Sequence, residues 1–263
     1  MPASLPCALT IAGSDSGGGA GLQADLKTFA ALGVHGTSAI TCITAQNPRR
    51  VTGIQPIRTE LVRRQIEAVF DELPPGAVKT GMLYSAEIIR AVADFFGRGR
   101  RPALVVDPVM VATSGAVLLK PSAIRVLKEK LLPLATLVTP NLPEAEILVD
   151  RKLATLEQLQ EAAREIHARF GCAVLAKGGH LANTSKAVDV FFDGERERLL
   201  TAPFTRGVST HGTGCTYSAA IAALLASGHP LPHAVEQAKR YITRAISRSR
   251  KVGRHSVLNH DGR

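Results

Sequence analysis

Short apolar runs alternate with longer amphipathic stretches along this chain. Residues 8–12 (Ala-Leu-Thr-Ile-Ala) predict a buried strand stopped by Gly13. Residues 20–33 carry Leu22, Leu26, Phe29 and Leu32 on one face and end at Gly33, as a helix does. The Thr- and Ile-rich stretch 37–45 predicts a strand, Asn47-Pro48 and two arginines a turn, and 51–57 a returning strand. That pair can stand apart from a central sheet as a small hairpin flap. A helix is expected over 59–73, a short strand around Val78, a helix over 86–97 and a strand over 103–106 closed by Asp107-Pro108. Pro121 suits a first helical position. A strand at 137–139 stops at Pro140, helices follow at 143–149 and 155–169, and 173–176 is again a strand. Residues 188–192 and 198–200 read as an antiparallel hairpin around Asp193-Gly194, and two helices close the pattern at 213–227 and 232–249.

Strands alternating with helices predict an α/β fold, a mostly parallel central sheet with helices on both faces. No repeat, low-complexity segment or long linker divides the chain, so one domain over 1–263 is expected. In such sheets ligands bind beyond the carboxyl ends of the strands. The unusual polar and glycine residues fall at those ends: Gly13, Asp15, Gly81, Asp107, Asn141, Lys177 and Gly178.

Composition narrows the setting. The chain has 263 residues, 45% of them hydrophobic, enough for a sizeable core without disulfides or structural metals. No run of about 18 uninterrupted apolar residues predicts a membrane span, and the first residues lack the basic and apolar regions of a signal peptide. Cys7, Cys42, Cys172 and Cys215 form no C-x-x-C pair. A cytoplasmic location is expected. The net charge is +10, part of it from Lys239, Arg240, Arg244, Arg248, Arg250, Lys251 and Arg254. This is either an anion-binding surface or a solvated helix face followed by a frayed basic tail. With Tyr241 its one aromatic and no recognisable nucleic-acid module, the second reading is preferred and no nucleic-acid partner is expected.

Four motifs can carry chemistry, and each has a plainer alternative. The glycine-rich run 13–21 follows a strand and opens a helix, where backbone amides favour anions; it is equally a tight turn. His211-Gly212-Thr213-Gly214-Cys215 precedes an Ala-rich helix. Its glycines free several N–H groups to aim at one point, and the helix dipole adds positive charge suited to a transferring phosphoryl group. Cys215 in the first turn is expected to have a lowered pKa, unless it is a small buried Cys at a helix–sheet contact. Asp107 and Asn141-x-x-Glu144 can supply oxygen ligands, direct or through water, to Mg²⁺ on substrate phosphates; capping or ion pairing is the alternative. Lys177, before Gly178-Gly179-His180, is a point charge for nucleotide phosphate or a turn lysine.

Together these stretches resemble the hydroxymethylpyrimidine/phosphomethylpyrimidine kinases of thiamine biosynthesis. The matching text includes Leu9-Thr-Ile-Ala-Gly-Ser-Asp15, Gly21-Leu-Gln-Ala-Asp-Leu-Lys27, Thr44-Ala-Gln-Asn47, Lys79-Thr-Gly-Met82, Asp107-Pro-Val-Met110, Thr139-Pro-Asn-Leu-Pro-Glu-Ala145, Lys177-Gly-Gly-His180 and His211-Gly-Thr-Gly-Cys215, in family order. The resemblance implies a ribokinase-like fold, ATP and Mg²⁺ as cofactors, and two phosphorylations. The first acts on 4-amino-5-hydroxymethyl-2-methylpyrimidine and the second on its monophosphate. It implies that Gln46 reads the pyrimidine, with Gly13, Asp25, Met82 and Val109 lining its pocket. Asp107, Asn141 and Glu144 would serve the magnesium–phosphate region, Lys177 would face ATP phosphate, and Gly212, Thr213 and Gly214 would form an anion hole beside the catalytic Cys215. The absence of a second fused domain points to the unfused form of the family. The nearest competing function is a pyridoxine/pyridoxal kinase of the same fold. More distant ones are a nucleic-acid binder and a catalytically dead pyrimidine sensor. Whether the chain forms a homodimer is open at this level.

Overall fold

The computed structural model describes residues 4–99, 101–110, 119–179, 181, 186–205 and 211–261. The chain runs through β1 (Cys7–Ala12), α1 (Gly21–Ala31), β2 (His35–Ile40), β3 (Cys42–Asn47), β4 (Arg50–Pro56) and α2 (Thr59–Glu72). It continues through β5 (Ala77–Thr80), α3 (Ala86–Phe96), β6 (Ala103–Val106), α4 (Pro121–Val126), β7 (Leu137–Val138), α5 (Leu142–Val149) and α6 (Leu156–Phe170). Then come β8 (Ala173–Lys177), β9 (Lys186–Phe192), β10 (Glu197–Pro203), α7 (Thr213–Ala226), α8 (Leu231–Ser247), β11 (Arg250–Val252) and β12 (His255–Val257).

Eight strands make one sheet in the order β10-β9-β8-β7-β6-β5-β1-β2. From β2 to β8 the pairing is parallel, and β9 and β10 add an antiparallel edge. Alternate strand residues feed two cores, as the two-residue period of a strand requires. Leu104 and Val106 face the layer of α2 to α6, while Val105 faces α1, α7 and α8. Both faces of the sheet are therefore covered, which explains why its strands read as continuous apolar runs.

Three expectations are corrected. The single strand over 37–45 is two: β2 pairs with β1, and the chain turns at the buried Thr41 into β3, which among the described residues pairs only with β4. The predicted flap is thus β3–β4, a separate two-stranded sheet. Lys239 is not on a solvated face: its ammonium is buried and donates to Asp189 Oδ2 at 2.7 Å. The basic tail is not frayed within the described residues. It forms the β11–β12 hairpin, buries Leu258, and is tied back by Tyr241, whose hydroxyl donates to the His260 carbonyl at 2.8 Å. No helix among the described residues is long and apolar enough to cross a membrane.

Candidate active site

Backbone bonds carry the parallel register past the strand ends. Gly81 N–H donates to Ile11 O, Asp107 N–H to Thr80 O, Thr139 N–H to Val106 O and Lys177 N–H to Pro140 O, all at 2.8–3.0 Å. The residues just beyond β1, β5, β6, β7 and β8 are therefore held on one rim. There they border a cavity of about 150 Å³. Of the predicted residues, Gly13, Gln46, Met82, Val109, Asp107, Asn141, Glu144, Lys177, Gly212, Gly214 and Cys215 all line it. A β-bulge between Ala45 and Gln46 shifts the β3–β4 register, and such irregularities re-aim side chains. The Gln46 Oε1 lies 3.3 Å from the Thr44 hydroxyl, whose proton goes to Ser14 O at 2.7 Å.

A second cavity of about 240 Å³ lies on the other side of Asn141, Lys177 and Gly214, which line both. Its walls are largely apolar, with Pro203, Phe204, Ile242 and Ile246 among them, and Thr213 lines this cavity rather than the first. The sequence reading did not find it. Its lining comes from β10, α7 and α8, whose apolar residues look like ordinary core until the chain is folded.

The charges on the rim are paired. Asp107 is buried; its Oδ1 accepts from Lys177 Nζ at 3.0 Å and from the Thr139 hydroxyl at 3.1 Å. Burial opposes its ionisation, but the Lys177 and Lys79 ammoniums and these hydrogen bonds hold it below the ordinary carboxylate range. Burial likewise opposes the charge of Lys177, and the Asp107 and Glu144 carboxyls outweigh it. Asn141 and Glu144 realise the capping alternative. Asn141 Oδ1 accepts from Glu144 N–H at 3.0 Å and Glu144 Oε2 accepts from Asn141 N–H at 2.9 Å, a capping box on α5. Burial pushes Glu144 up to about 8.

Three further predictions are corrected. Asp25 does not line the cavity. It lies behind the wall, fully buried, accepting from Lys79 Nζ at 2.8 and 3.0 Å and from the Thr10 hydroxyl at 2.6 Å. Lys79, which had no assigned role, takes its place on the wall. The signal for it was a lysine closing the apolar run Ala77-Val78. The Cys215 thiol is not lowered. Burial pushes it up to about 11, aided by the Asp25 and Asp107 charges and opposed by Lys79 and the Gly21 N–H. The glycine-rich loop does not offer all its amides outward, because Asp15 accepts the N–H groups of Gly17, Gly19 and Ala20 at 2.8–3.1 Å. His180 lies outside the described residues.

The N-terminus of α7 stays open to both cavities. Gly212 caps it at φ +80°, and a Cβ there would stand 1.8 Å from the Gly19 carbonyl oxygen. Only glycine permits that conformation and that approach. A helix N-terminus at the junction of two cavities, flanked by the half-buried Lys177, favours a group passing from one to the other as an anion.

Fold and rim together define a small-molecule kinase of the ribokinase-like class. The comparisons with known proteins give the branch. The family model for phosphomethylpyrimidine kinase matches residues 15–260, and the chain belongs to that family. It is 54% identical to the hydroxymethylpyrimidine/phosphomethylpyrimidine kinase of Rhizobium meliloti, over 91% of this chain and 90% of that one. It is 51% identical to the thiamine biosynthesis bifunctional protein ThiED of Geobacter sulfurreducens, covering 96% of this chain but only about half (51%) of that longer protein. Among solved structures, the ADP complex of Bacillus subtilis pyridoxal kinase superposes with a TM-score of 0.91 at 41% identity, covering 98% of both chains.

Proposed function

We propose that the chain, as one kinase unit, transfers the γ-phosphoryl group of ATP to 4-amino-5-hydroxymethyl-2-methylpyrimidine and then to the resulting monophosphate. The observation that carries this reading is the pair of cavities sharing Asn141, Lys177 and Gly214. The pyrimidine occupies the first, its amino-substituted edge against the Gln46 amide, which offers both a donor and an acceptor. Met82 gives the ring a polarizable surface. The nucleotide base occupies the apolar second cavity, and its phosphates run past Lys177 to the α7 N-terminus. Amides of Thr213, Gly214 and Cys215 stabilise the charge on the transferring group, the main protein contribution to such a reaction.

Among the described residues no three Asp, Glu, His or Cys side chains are placed to hold a metal by themselves. Asp107 and Glu144 are already hydrogen-bonded. They fit Mg²⁺ that arrives on the nucleotide and keeps several waters, as this ion does in kinase sites. Held there through water by Asp107, Asn141 and Glu144, it would neutralise phosphate charge. All four cysteines are free thiols, which suits a reducing cytoplasm.

ATP consumption with the hydroxymethylpyrimidine, its monophosphate and pyridoxal as separate acceptors tests the assignment. Turnover of both pyrimidines is expected; turnover of neither overturns it. The likeness to the Bacillus pyridoxal kinase favours pyridoxal as a further acceptor, which the same assay reads. Gln46→Leu should weaken pyrimidine binding by about tenfold, since the polar edge of the ring then loses its partner. Calorimetry giving an unchanged dissociation constant would remove Gln46 from that role.

A further inference from the structure

Asp15 and His211 line this rim without a part in the reaction above, and they are placed at a joint. Asp15 is 2% exposed. Its Oδ1 accepts from Gly17 N–H at 2.8 Å, and its Oδ2 from Ala20 N–H at 2.8 Å and Gly19 N–H at 3.1 Å. Oδ2 also meets His211 Nε2 at 3.0 Å. Its own N–H donates to Gln23 Oε1 at 2.7 Å. One carboxylate thus folds the glycine-rich loop around itself and fastens it to the residue just before Gly212.

The same loop is fastened to the flap on its other side. Ser16 Oγ donates to Gln46 O at 2.8 Å and accepts from Gln46 N–H at 2.7 Å. The Thr44 hydroxyl donates to Ser14 O at 2.7 Å. Packing reinforces the α7 side: a Cβ at Gly19 would lie 2.9 Å from His211 Cδ2, and one at Gly212 would lie 1.8 Å from Gly19 O. An unbroken chain of contacts therefore runs from Gln46 through the loop to Gly212. Both Asp15 and His211 also line the first cavity.

We infer that Asp15 and His211 are positioning residues that hold the α7 N-terminus in register with the pyrimidine pocket. A turn made of Gly17, Gly18 and Gly19 has little stiffness of its own. A buried carboxylate with several charge-assisted hydrogen bonds supplies it. Phosphoryl transfer depends on the in-line placement of acceptor and phosphoryl group, so a small displacement of α7 slows the chemical step while leaving ring recognition in place. A role in folding alone would act on stability and on the fraction of active enzyme instead.

This inference rests on the proposed kinase reading, and a double-mutant cycle separates the two. Asp15→Asn, His211→Ala and the double variant are assayed for kcat and for the KM of the hydroxymethylpyrimidine and of ATP, with kcat corrected for the folded fraction. Each single change should lower kcat about tenfold and leave both KM values within about threefold. The double change should cost no more than the worse single one, because both cut the same link. Factors that multiply in the double variant, or single variants with wild-type kcat, overturn the inference while the kinase assignment stands. A wild-type protein that phosphorylates neither pyrimidine removes the reading on which it rests.

Discussion

Lys79→Met should lower the free energy of unfolding by about 3–5 kcal/mol, the usual cost of leaving one member of a buried ion pair without its partner. Both side chains of the Lys79–Asp25 pair are completely buried, and the ammonium reaches both Asp25 oxygens. Burial alone would pull the Lys79 pKa down; the Asp25 charge and hydrogen bond, together with the nearby Cys215 and Asp107, outweigh it and hold the ammonium above the ordinary lysine range. Methionine matches the length of the lysine stem but leaves the Asp25 carboxylate with the Thr10 hydroxyl as its remaining side-chain partner. The double change Lys79→Met with Asp25→Leu removes both charges, and apolar replacements of buried pairs are often neutral in stability. Urea unfolding of the two variants should therefore show the double variant more stable than the single. A double variant as unstable as Lys79→Met would mean that packing around the lysine stem, not the charge, is what the core requires.

That pair also shows where reading the sequence stops. The order of elements was legible because β1, β5, β6 and β8 are short apolar runs between amphipathic helices, and their ends bring the site residues to one rim. The split at Thr41 was not. The stretch 37–45 runs on Thr, Ser, Ile, Ala and Cys with no Gly, Pro or charge to mark a break, and what divides it is tertiary: β1 is available to pair with β2, whereas β3 finds only β4 among the described residues. Asp25 matched a family text, but nothing local shows that a lysine from a strand 54 residues away will cover it. Asn141 and Glu144 carried the spacing of a capping box and of a ligand pair alike, and both uses remain compatible with their position on the cavity wall. A further misjudged feature was the environment of Cys215. Its place in the first turn of α7 is a sequence fact, whereas the burial and neighbouring carboxylates that raise its pKa come from strands and helices distant in the chain.

Cys215→Ala should separate the two phosphorylations. In the first, the acceptor is a primary alcohol whose proton must leave; in the second, it is a phosphate oxygen already ionised near neutral pH. With the thiol pushed up to about 11, about one molecule in ten thousand carries the thiolate at pH 7. A base that far from the working pH sits at the modest end of the 10²–10⁴-fold range for general-base catalysis. The largely dissociative character of phosphoryl transfer, with late loss of the alcohol proton, points the same way. The expected result is a loss of about 10²-fold in the single-turnover rate on the alcohol at saturating ATP, and a loss of less than about tenfold on the monophosphate. The α7 amides belong to the backbone and survive the change, so the second activity reports on the integrity of the site. Alkylation by iodoacetamide as a function of pH checks the premise independently. Reaction at Cys215 should rise toward pH 11, and a midpoint near 7 would mean the helix dipole prevails over burial. If both phosphorylations slow by the same factor, Cys215 fills space beside Gly214 and the proton leaves the alcohol by another route.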